Sequence, residues 1–227
     1  MVLRAYFDAS YKVGDPAYVV AGYLGETEEW KRVEALWKET ATTWGLPNGF
    51  HLTNLQYDTG GRGDECVTEF AEIIAQSELF GLSAGVEVAY LESEMSGAGR
   101  NAQWQVAADM LLKLTKEQVR LEHGDAKVIV VFDADAPDGV AAEVFEAFRD
   151  QEPFSHLSIS RRSESPLLEI ADLAAGLGRR EWYGPEFTSG VGIGGDLWFR
   201  LANRWAGSTL SADTARRAAE RRVKRGL

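Results

Sequence analysis

The chain has 227 residues, of which 45% are hydrophobic and 26% are charged, a balance typical of a globular domain rather than a disordered chain. The single cysteine, Cys66, excludes an internal disulfide and a multi-thiolate zinc site. A net charge of -11 argues against a broad nonspecific nucleic-acid surface, but it is compatible with a nucleic-acid enzyme whose acidic residues bind metal.

The chain begins with a predicted antiparallel hairpin and a helix. Residues 2–7 form a short run of β-forming residues that ends at Asp8, and residues 17–24 form a second run after a turn. This start lacks the features of a signal peptide, and no apolar run approaches the roughly 18 residues of a membrane span, so we expect a cytoplasmic protein with no membrane partner. Thr27 is predicted to cap a helix that ends before Gly45.

The middle of the chain predicts two helices around a strand. Asp64 is expected to cap a helix that runs to about residue 77, and residues 79–90 have the composition of a strand. A polar loop at 93–100 then leads into a long helix at 101–123, which carries an apolar stripe.

The most apolar strand is predicted at 126–132, and it ends in Asp133-Ala134-Asp135. Its continuous β-branched composition indicates a central strand that is covered on both faces. The remaining predicted elements are a helix at 138–149, a strand at 156–160, and helices at 166–180, 197–205 and 212–225. This order predicts one mixed α/β sheet flanked by helices, in a single domain over 1–227 with a core at 2–180 and a C-terminal helical extension at 181–227.

Acidic residues follow two of the predicted strands. Ligands of open α/β sheets collect at the carboxyl ends of strands, which favours a functional role for Asp133. Asp8 either joins it or starts a turn, and Asp135 either points the same way or caps the next helix.

A late helix carries two further carboxylates. Glu169 and Asp172 are three residues apart and therefore share a helix face, among small apolar neighbours that indicate burial. Buried carboxylates need compensating charge or hydrogen bonds. That compensation is either a metal ion or an arginine, and the candidates are Arg161, Arg162, Arg179 and Arg180.

The combination of these features resembles the ribonuclease H-like superfamily, and within it the bacterial and phage domain-of-unknown-function 3800 family. The matching segments are Phe7-Asp8-Ala9-Ser10, Phe50-His51-Leu52-Thr53, Val131-Phe132-Asp133 and the late helix from Pro166 to Gly176. The resemblance spans roughly residues 2–180. The first motif of that family usually reads Asp-Glu-Ser, so Ala9 stands where a glutamate is expected.

The resemblance implies a ribonuclease H-like mixed sheet, in which leading antiparallel strands precede parallel ones, and phosphodiester cleavage assisted by two Mg²⁺ or Mn²⁺ ions about 4 Å apart. Asp8 is then the bridging ligand, Asp133 and Asp172 each hold one ion, and Glu169 or Asp135 supplies a fourth carboxylate. His51 is expected to move a proton or to orient a water, because imidazole titrates near neutral pH.

Two functions follow as hypotheses. The first is a metal-dependent nuclease with DNA or RNA as its partner, and the second is an inactive binding or regulatory module, which Ala9 and the acidic surface favour. Three other features each allow two interpretations. The glycine-rich run 190–195 is either a phosphate-binding loop or a flexible loop that borders the site, and the arginine-rich tail at 211–227 is either a phosphate-contacting arm or a solvated helix face. A group of aromatic residues either stacks on bases or packs in the core or in an interface. These aromatic residues are Trp182, Tyr183, Phe187 and Trp198.

Overall fold

The computed structural model describes residues 1–11, 14–46, 49–95, 99–134, 136–183 and 195–214. The strands are β1 (Val2–Ser10), β2 (Ala17–Glu26), β3 (Phe80–Glu87), β4 (Lys127–Asp133), β5 (Phe154–Ser160) and β6 (Trp205–Leu210). The helices are α1 (Thr27–Thr43), α2 (Leu55–Asp58), α3 (Gly63–Ala75), α4 (Val88–Glu94), α5 (Arg100–Glu122), α6 (Asp138–Phe148), α7 (Leu167–Tyr183) and α8 (Gly195–Ala202).

The described strands form one mixed sheet in the order β5-β4-β1-β2-β3-β6. β1, β2 and β3 are antiparallel neighbours, which confirms the leading hairpin. β4 and β5 extend the sheet in parallel beyond β1, and β6 lies parallel to β3 at the opposite edge. The predicted mixed sheet, with antiparallel strands first and parallel strands after, is therefore confirmed.

Side chains on β1 and β2 point alternately to the two faces of the sheet, so each face carries an apolar cluster. Helices cover both clusters. On one face, α7 packs on β1 and β2, and α1, α3 and α8 complete that layer. On the other face, α5 packs on β2 and β3, beside α4 and α6. Among the described residues, no helix is long and apolar enough to cross a membrane.

The prediction for β4 is only partly right. β4 is an inner strand between β1 and β5. Its residues Ile129 and Val131 face the same side of the sheet as α7, but α7 packs on β1 and β2, and these two residues are only half-buried. The open part of this face therefore lies beside the carboxyl end of β4.

Two predicted elements have the wrong type in part. The strand predicted at 79–90 ends at Glu87, which lies opposite Ala17, the first residue of β2, and one further hydrogen bond joins the Val88 amide to the Pro16 carbonyl at 2.8 Å. α4 starts there instead. The helix predicted at 197–205 ends at Ala202, and Trp205 opens β6. Gly81 makes that pairing possible, since a Cβ atom on it would lie 1.9 Å from the Trp205 ring.

Both predicted helix caps are wrong. The N-cap of α1 is Glu26, and the Thr27 hydroxyl instead donates a hydrogen bond to the carbonyl of Val2 at 3.3 Å. α3 begins one residue before Asp64, with Arg62 at its N-cap. Residues 212–214 are helical, and the rest of the predicted closing helix lies outside the described residues, as does the glycine-rich run at 190–194.

Candidate functional site

The register between β1 and β4 brings Asp8 and Asp133 side by side. Phe7 lies opposite Phe132, and this is the last pair between the two strands, so the next residues are the two aspartates. The sequence predicts that Asp8 ends the first strand. β1 instead continues to Ser10 along β2, so Asp8 lies within the strand. Adjacent strands are about 4.8 Å apart. Both side chains therefore lie close together on the face that α7 covers, where Asp8 is 1% exposed and Asp133 is 8% exposed.

α7 adds Asp172 to these two residues. The helix packs closely on β1 and β2 through small buried residues such as Ala171, Ala174 and Ala175. Asp172 lies on the partly open side of this helix, and its side chain is 13% exposed. The three aspartates therefore come from two strands and one helix that are distant in sequence.

The guanidinium group of Arg162, from the loop between β5 and α7, lies between the three aspartates. Its Nε donates a hydrogen bond to Asp133 Oδ2 at 2.8 Å, and its Nη2 donates one to Asp8 Oδ2 at 2.8 Å. Nη1 is 3.3 Å from Asp172 Oδ2, an ion-pair contact that lacks hydrogen-bond geometry. Each nitrogen of the guanidinium therefore faces a different carboxylate.

Burial and mutual repulsion make this cluster electrostatically strained. Burial raises the pKa of Asp8 well above its usual value, and the charges of Asp172 and Asp133 raise it further, while Arg162 lowers it. Burial disfavours the charged form of Arg162, but the three carboxylates more than offset this and raise its pKa. The formal charge of three carboxylates and one guanidinium is -2, so the cluster still favours additional positive charge.

Glu169, one helical turn before Asp172, is held by a different set of partners. Its Oε2 accepts hydrogen bonds from Trp37 Nε1 at 2.9 Å and from the Phe50 amide at 2.9 Å. Burial raises the pKa of Glu169, although these two hydrogen bonds oppose the rise. Gly49 adjoins the same carboxylate at φ +76°, and a Cβ atom on it would lie 2.1 Å from Oε1. Glu169 therefore anchors the segment that carries His51.

Asp172 anchors the same segment at its other end. The Leu52 amide donates a hydrogen bond to Asp172 Oδ2 at 2.8 Å, and His51 Nδ1 lies 3.6 Å from that oxygen. His51 Nδ1 is also 2.9 Å from Thr53 Oγ1. The imidazole is 43% exposed and lines an open cleft of about 690 Å³, together with Asp133 and Arg162. His51 thus lies between the carboxylate cluster and solvent.

The structure brings Asp8, Asp133 and Asp172 together and places His51 beside them. Asp135 lies outside the described residues. The sequence predicts Arg162 only as one of four candidate counter-ions for the late helix, and its central position was not predicted. The signal was its location two residues after β5, since β5 is the parallel neighbour of β4 and ends at the same edge.

The other candidate counter-ions have different positions. Arg179 pairs with Asp15 at 2.8 Å, and the side chain of Arg161 is exposed. The Arg180 side chain lies outside what the structure describes, as do those of the four aromatic residues proposed to stack on bases.

Ala9 points away from the cluster. Alternate residues of a strand face opposite sides, and Ala9 packs with the apolar cluster around α5, while Asp8 faces α7. A longer side chain at position 9 would therefore leave on the opposite face of the sheet from the three aspartates.

The donor atoms of the cluster suit Mg²⁺ or Mn²⁺, which prefer carboxylate oxygens. The arrangement of the cluster does not provide a ready-made metal site, because Arg162 lies between the carboxylates. Among the described residues, no group of three or more His, Cys, Asp or Glu side chains is arranged to hold a metal ion. The guanidinium in its present position contacts one oxygen of each aspartate, the Oδ2 atom, so a metal ion bound through these atoms would compete with it.

Comparison with known proteins gives one kind of match. No protein-family model matches the chain, and a search of the curated proteins finds no match. Among solved structures, Bst-RNase HIII in complex with Mn²⁺ and a point mutant of the same protein are similar, each at a TM-score of 0.44 and 13% sequence identity. Each match covers 75% of this chain and 50% of the other, so the chain spans about half the length of these structures.

Proposed function

We propose that the protein is a metal-dependent nuclease of the ribonuclease H-like superfamily, in its domain-of-unknown-function 3800 branch, and that it acts on DNA or RNA in the cytoplasm. The observation that carries this proposal is the convergence of Asp8, Asp133 and Asp172 around a single guanidinium. Two buried carboxylates and a third that is half-buried, all in contact with one cation, are costly to assemble unless they bind further positive charge. A site of this composition at the carboxyl edge of a sheet supports phosphodiester chemistry.

In this proposal Asp8, Asp133 and Asp172 hold the metal ions. Bound Mg²⁺ or Mn²⁺ would supply Lewis-acid stabilisation of the charge that develops on phosphate oxygens. Glu169 and Asp135 are the candidates for a fourth carboxylate. The hydrogen bonds from Trp37 and Phe50 to Glu169 Oε2 favour a positioning role for Glu169.

His51 has the geometry of a proton-transfer group. Nδ1 lies 2.9 Å from Thr53 Oγ1 and 3.6 Å from Asp172 Oδ2, so a proton on this nitrogen has the Thr53 oxygen as its hydrogen-bond acceptor and the carboxylate nearby. The neutral ring then has its lone pair on the other nitrogen, where it can accept a proton from a water molecule. The exposure of this ring to the cleft gives a substrate access to it.

Ala9 does not argue against this activity, because its side chain faces the α5 side of the sheet. A specific observation nevertheless favours the second candidate, an inactive ribonuclease H-like binding or regulatory module. Arg162 already compensates part of the charge of the carboxylates, so the cluster can be held together without metal. Activity and metal binding therefore have to be measured separately.

A cleavage assay on single-stranded and double-stranded DNA and RNA, with Mg²⁺ or Mn²⁺ and with chelator, tests the proposal. Asp8→Asn should reduce metal-dependent cleavage by at least about 100-fold, the effect typical of removing a charge-stabilising group. Asp109→Asn is the matched control, because Asp109 lies on α5 and pairs with Lys113 at the surface. Equal cleavage by wild type and Asp8→Asn would show that the activity comes from another site. Metal binding without cleavage of any substrate would favour the binding module.

A further inference from the structure

Arg162 occupies the position at which the proposed site needs a cation. Its three guanidinium nitrogens contact three different aspartates, and all of these contacts are to Oδ2 atoms. The remaining oxygen of Asp8, Oδ1, accepts a hydrogen bond from the Ala9 amide at 2.7 Å, and Asp172 Oδ2 also accepts one from the Leu52 amide. A divalent ion bound through these Oδ2 atoms would compete with the guanidinium for them.

Electrostatic repulsion between the two cations also opposes their binding to the cluster together. Positive charges a few ångströms apart repel strongly in a partly buried site, where the effective dielectric constant is lower than in water. Asp8 has a side-chain exposure of 0%, and that of Arg162 is 23%. The side chain of Arg162 is thus the more exposed partner of the contact, although its Nη1 atom is buried, and a long arginine side chain can turn away more readily than an aspartate fixed on a strand.

The cleft beside the cluster provides room for this movement. Its volume is about 690 Å³, and Arg162 itself lines it with Ser160 and Glu164. Glu164 is exposed, and its Oε2 accepts hydrogen bonds from Ser160 Oγ at 3.3 Å and from the Arg161 amide at 3.4 Å. A carboxylate on the cleft wall offers the guanidinium another partner.

We propose that Arg162 is the resident cation of the carboxylate cluster and that it sets the metal affinity of the site. It holds the three aspartates together in the metal-free protein, and it turns toward the cleft when a divalent ion binds. Metal binding therefore includes the work of displacing it. This inference rests on the proposed metal-dependent function, and it adds a residue that controls when the site is loaded.

The test compares Arg162→Met with Arg161→Met. Both variants remove one positive charge from the same loop, but only Arg162 contacts the aspartates, while Arg161 has an exposed side chain. In calorimetric titrations with MnCl₂, Arg162→Met should bind Mn²⁺ at least about tenfold more tightly than wild type, within the usual range for coupled binding. Arg161→Met should change the affinity by less than about twofold, because exposed charges are screened by solvent and salt.

A second readout does not depend on titration of the metal site. Arg162→Met should have a lower melting temperature than wild type in chelator, because the three clustered carboxylates lose their partner, and Mn²⁺ should raise it by more than it raises that of wild type. Arg162→Lys keeps the charge, and it provides a folded variant if Arg162→Met does not fold without metal. A single ammonium cannot reproduce two directed hydrogen bonds and a third ion-pair contact, so this variant should also bind Mn²⁺ more tightly than wild type.

Three results decide the inference. Tighter Mn²⁺ binding by the Arg162 variants but not by Arg161→Met supports it. Equal or weaker binding by the Arg162 variants overturns it, and the metal-dependent function then stands without it. No Mn²⁺ binding by wild type or any variant at millimolar metal overturns the proposed function together with the inference.

Discussion

Replacement of Gly49 by alanine should destabilise the protein by far more than replacement of Gly45. Gly49 has φ +76° and Gly45 has φ +64°, so alanine at either position adopts a left-handed backbone conformation that costs about 1–2 kcal/mol. A Cβ atom on Gly49 would also lie 2.1 Å from Glu169 Oε1, whereas one on Gly45 has no atom within 4 Å. The two positions therefore share the backbone strain and differ in the clash.

The clash requires the Glu169 carboxylate to move. Movement weakens the hydrogen bonds from Trp37 Nε1 and the Phe50 amide, and hydrogen bonds to a charged group contribute about 1.5–3 kcal/mol each. Partial loss of both adds about 2–3 kcal/mol to the strain. Gly49→Ala should then lower the free energy of unfolding by about 3–5 kcal/mol, and Gly45→Ala by about 1–2 kcal/mol.

Urea denaturation of a double-mutant cycle measures this difference. In a Glu169→Ala background the clash is absent, so Gly49→Ala should cost only about 1–2 kcal/mol there. Gly45→Ala should have the same effect in both backgrounds. The interpretation of Glu169 as the anchor of this segment is refuted if Gly49→Ala has the same cost with and without the Glu169 side chain.

Two further predictions concern the metal and the cysteine. Mg²⁺ or Mn²⁺ should raise the melting temperature of the wild-type protein, and Asp133→Asn should remove this increase, because it removes a carboxylate that contacts the central cation. Thermal unfolding with and without chelator checks this, and an unchanged increase in the variant would exclude Asp133 as a ligand. Burial raises the pKa of the Cys66 thiol to about 12, so the folded protein should not react with thiol reagents at pH 8, whereas the urea-unfolded chain should react rapidly. Reaction of the native protein at the rate of the unfolded chain would contradict the burial of this side chain.

Part of the site was predictable because local pattern and general topology determine it. An apolar β-branched strand followed by Asp133 predicts an acid at the carboxyl edge of a sheet. The spacing of Glu169 and Asp172 on an apolar helix predicts carboxylates that need a partner. The register that puts Asp8 beside Asp133 follows once β1 and β4 are known to be parallel neighbours.

The partners of these carboxylates were not predictable, because they depend on contacts between distant segments. Trp37 and Glu169 are 132 positions apart, and the sequence pattern of neither helix indicates that the two side chains form a hydrogen bond. Arg162 lies in the loop after β5, which ends at Ser160, so the alternation of side chains along the strand does not fix its direction. A hydrogen bond or ion pair of this kind is set by the packing of the whole sheet.

The errors in secondary structure have the same origin. Residues 88–90 have the composition of a strand but form α4, because the pairing of β3 with β2 ends where β2 begins, at Ala17 opposite Glu87. Trp205 continues a helical pattern but enters β6, because its ring packs over Gly81 of β3. In both segments, tertiary pairing overrides local preference.

The most direct test of the carboxylate cluster as a metal site is a crystal structure of the wild-type protein grown with Mn²⁺, with anomalous diffraction data to locate the metal. We predict Mn²⁺ bound by oxygens of Asp8, Asp133 and Asp172, with the Arg162 side chain turned into the cleft. A guanidinium that still contacts all three aspartates, with no anomalous signal between them at saturating Mn²⁺, would contradict the metal-dependent function.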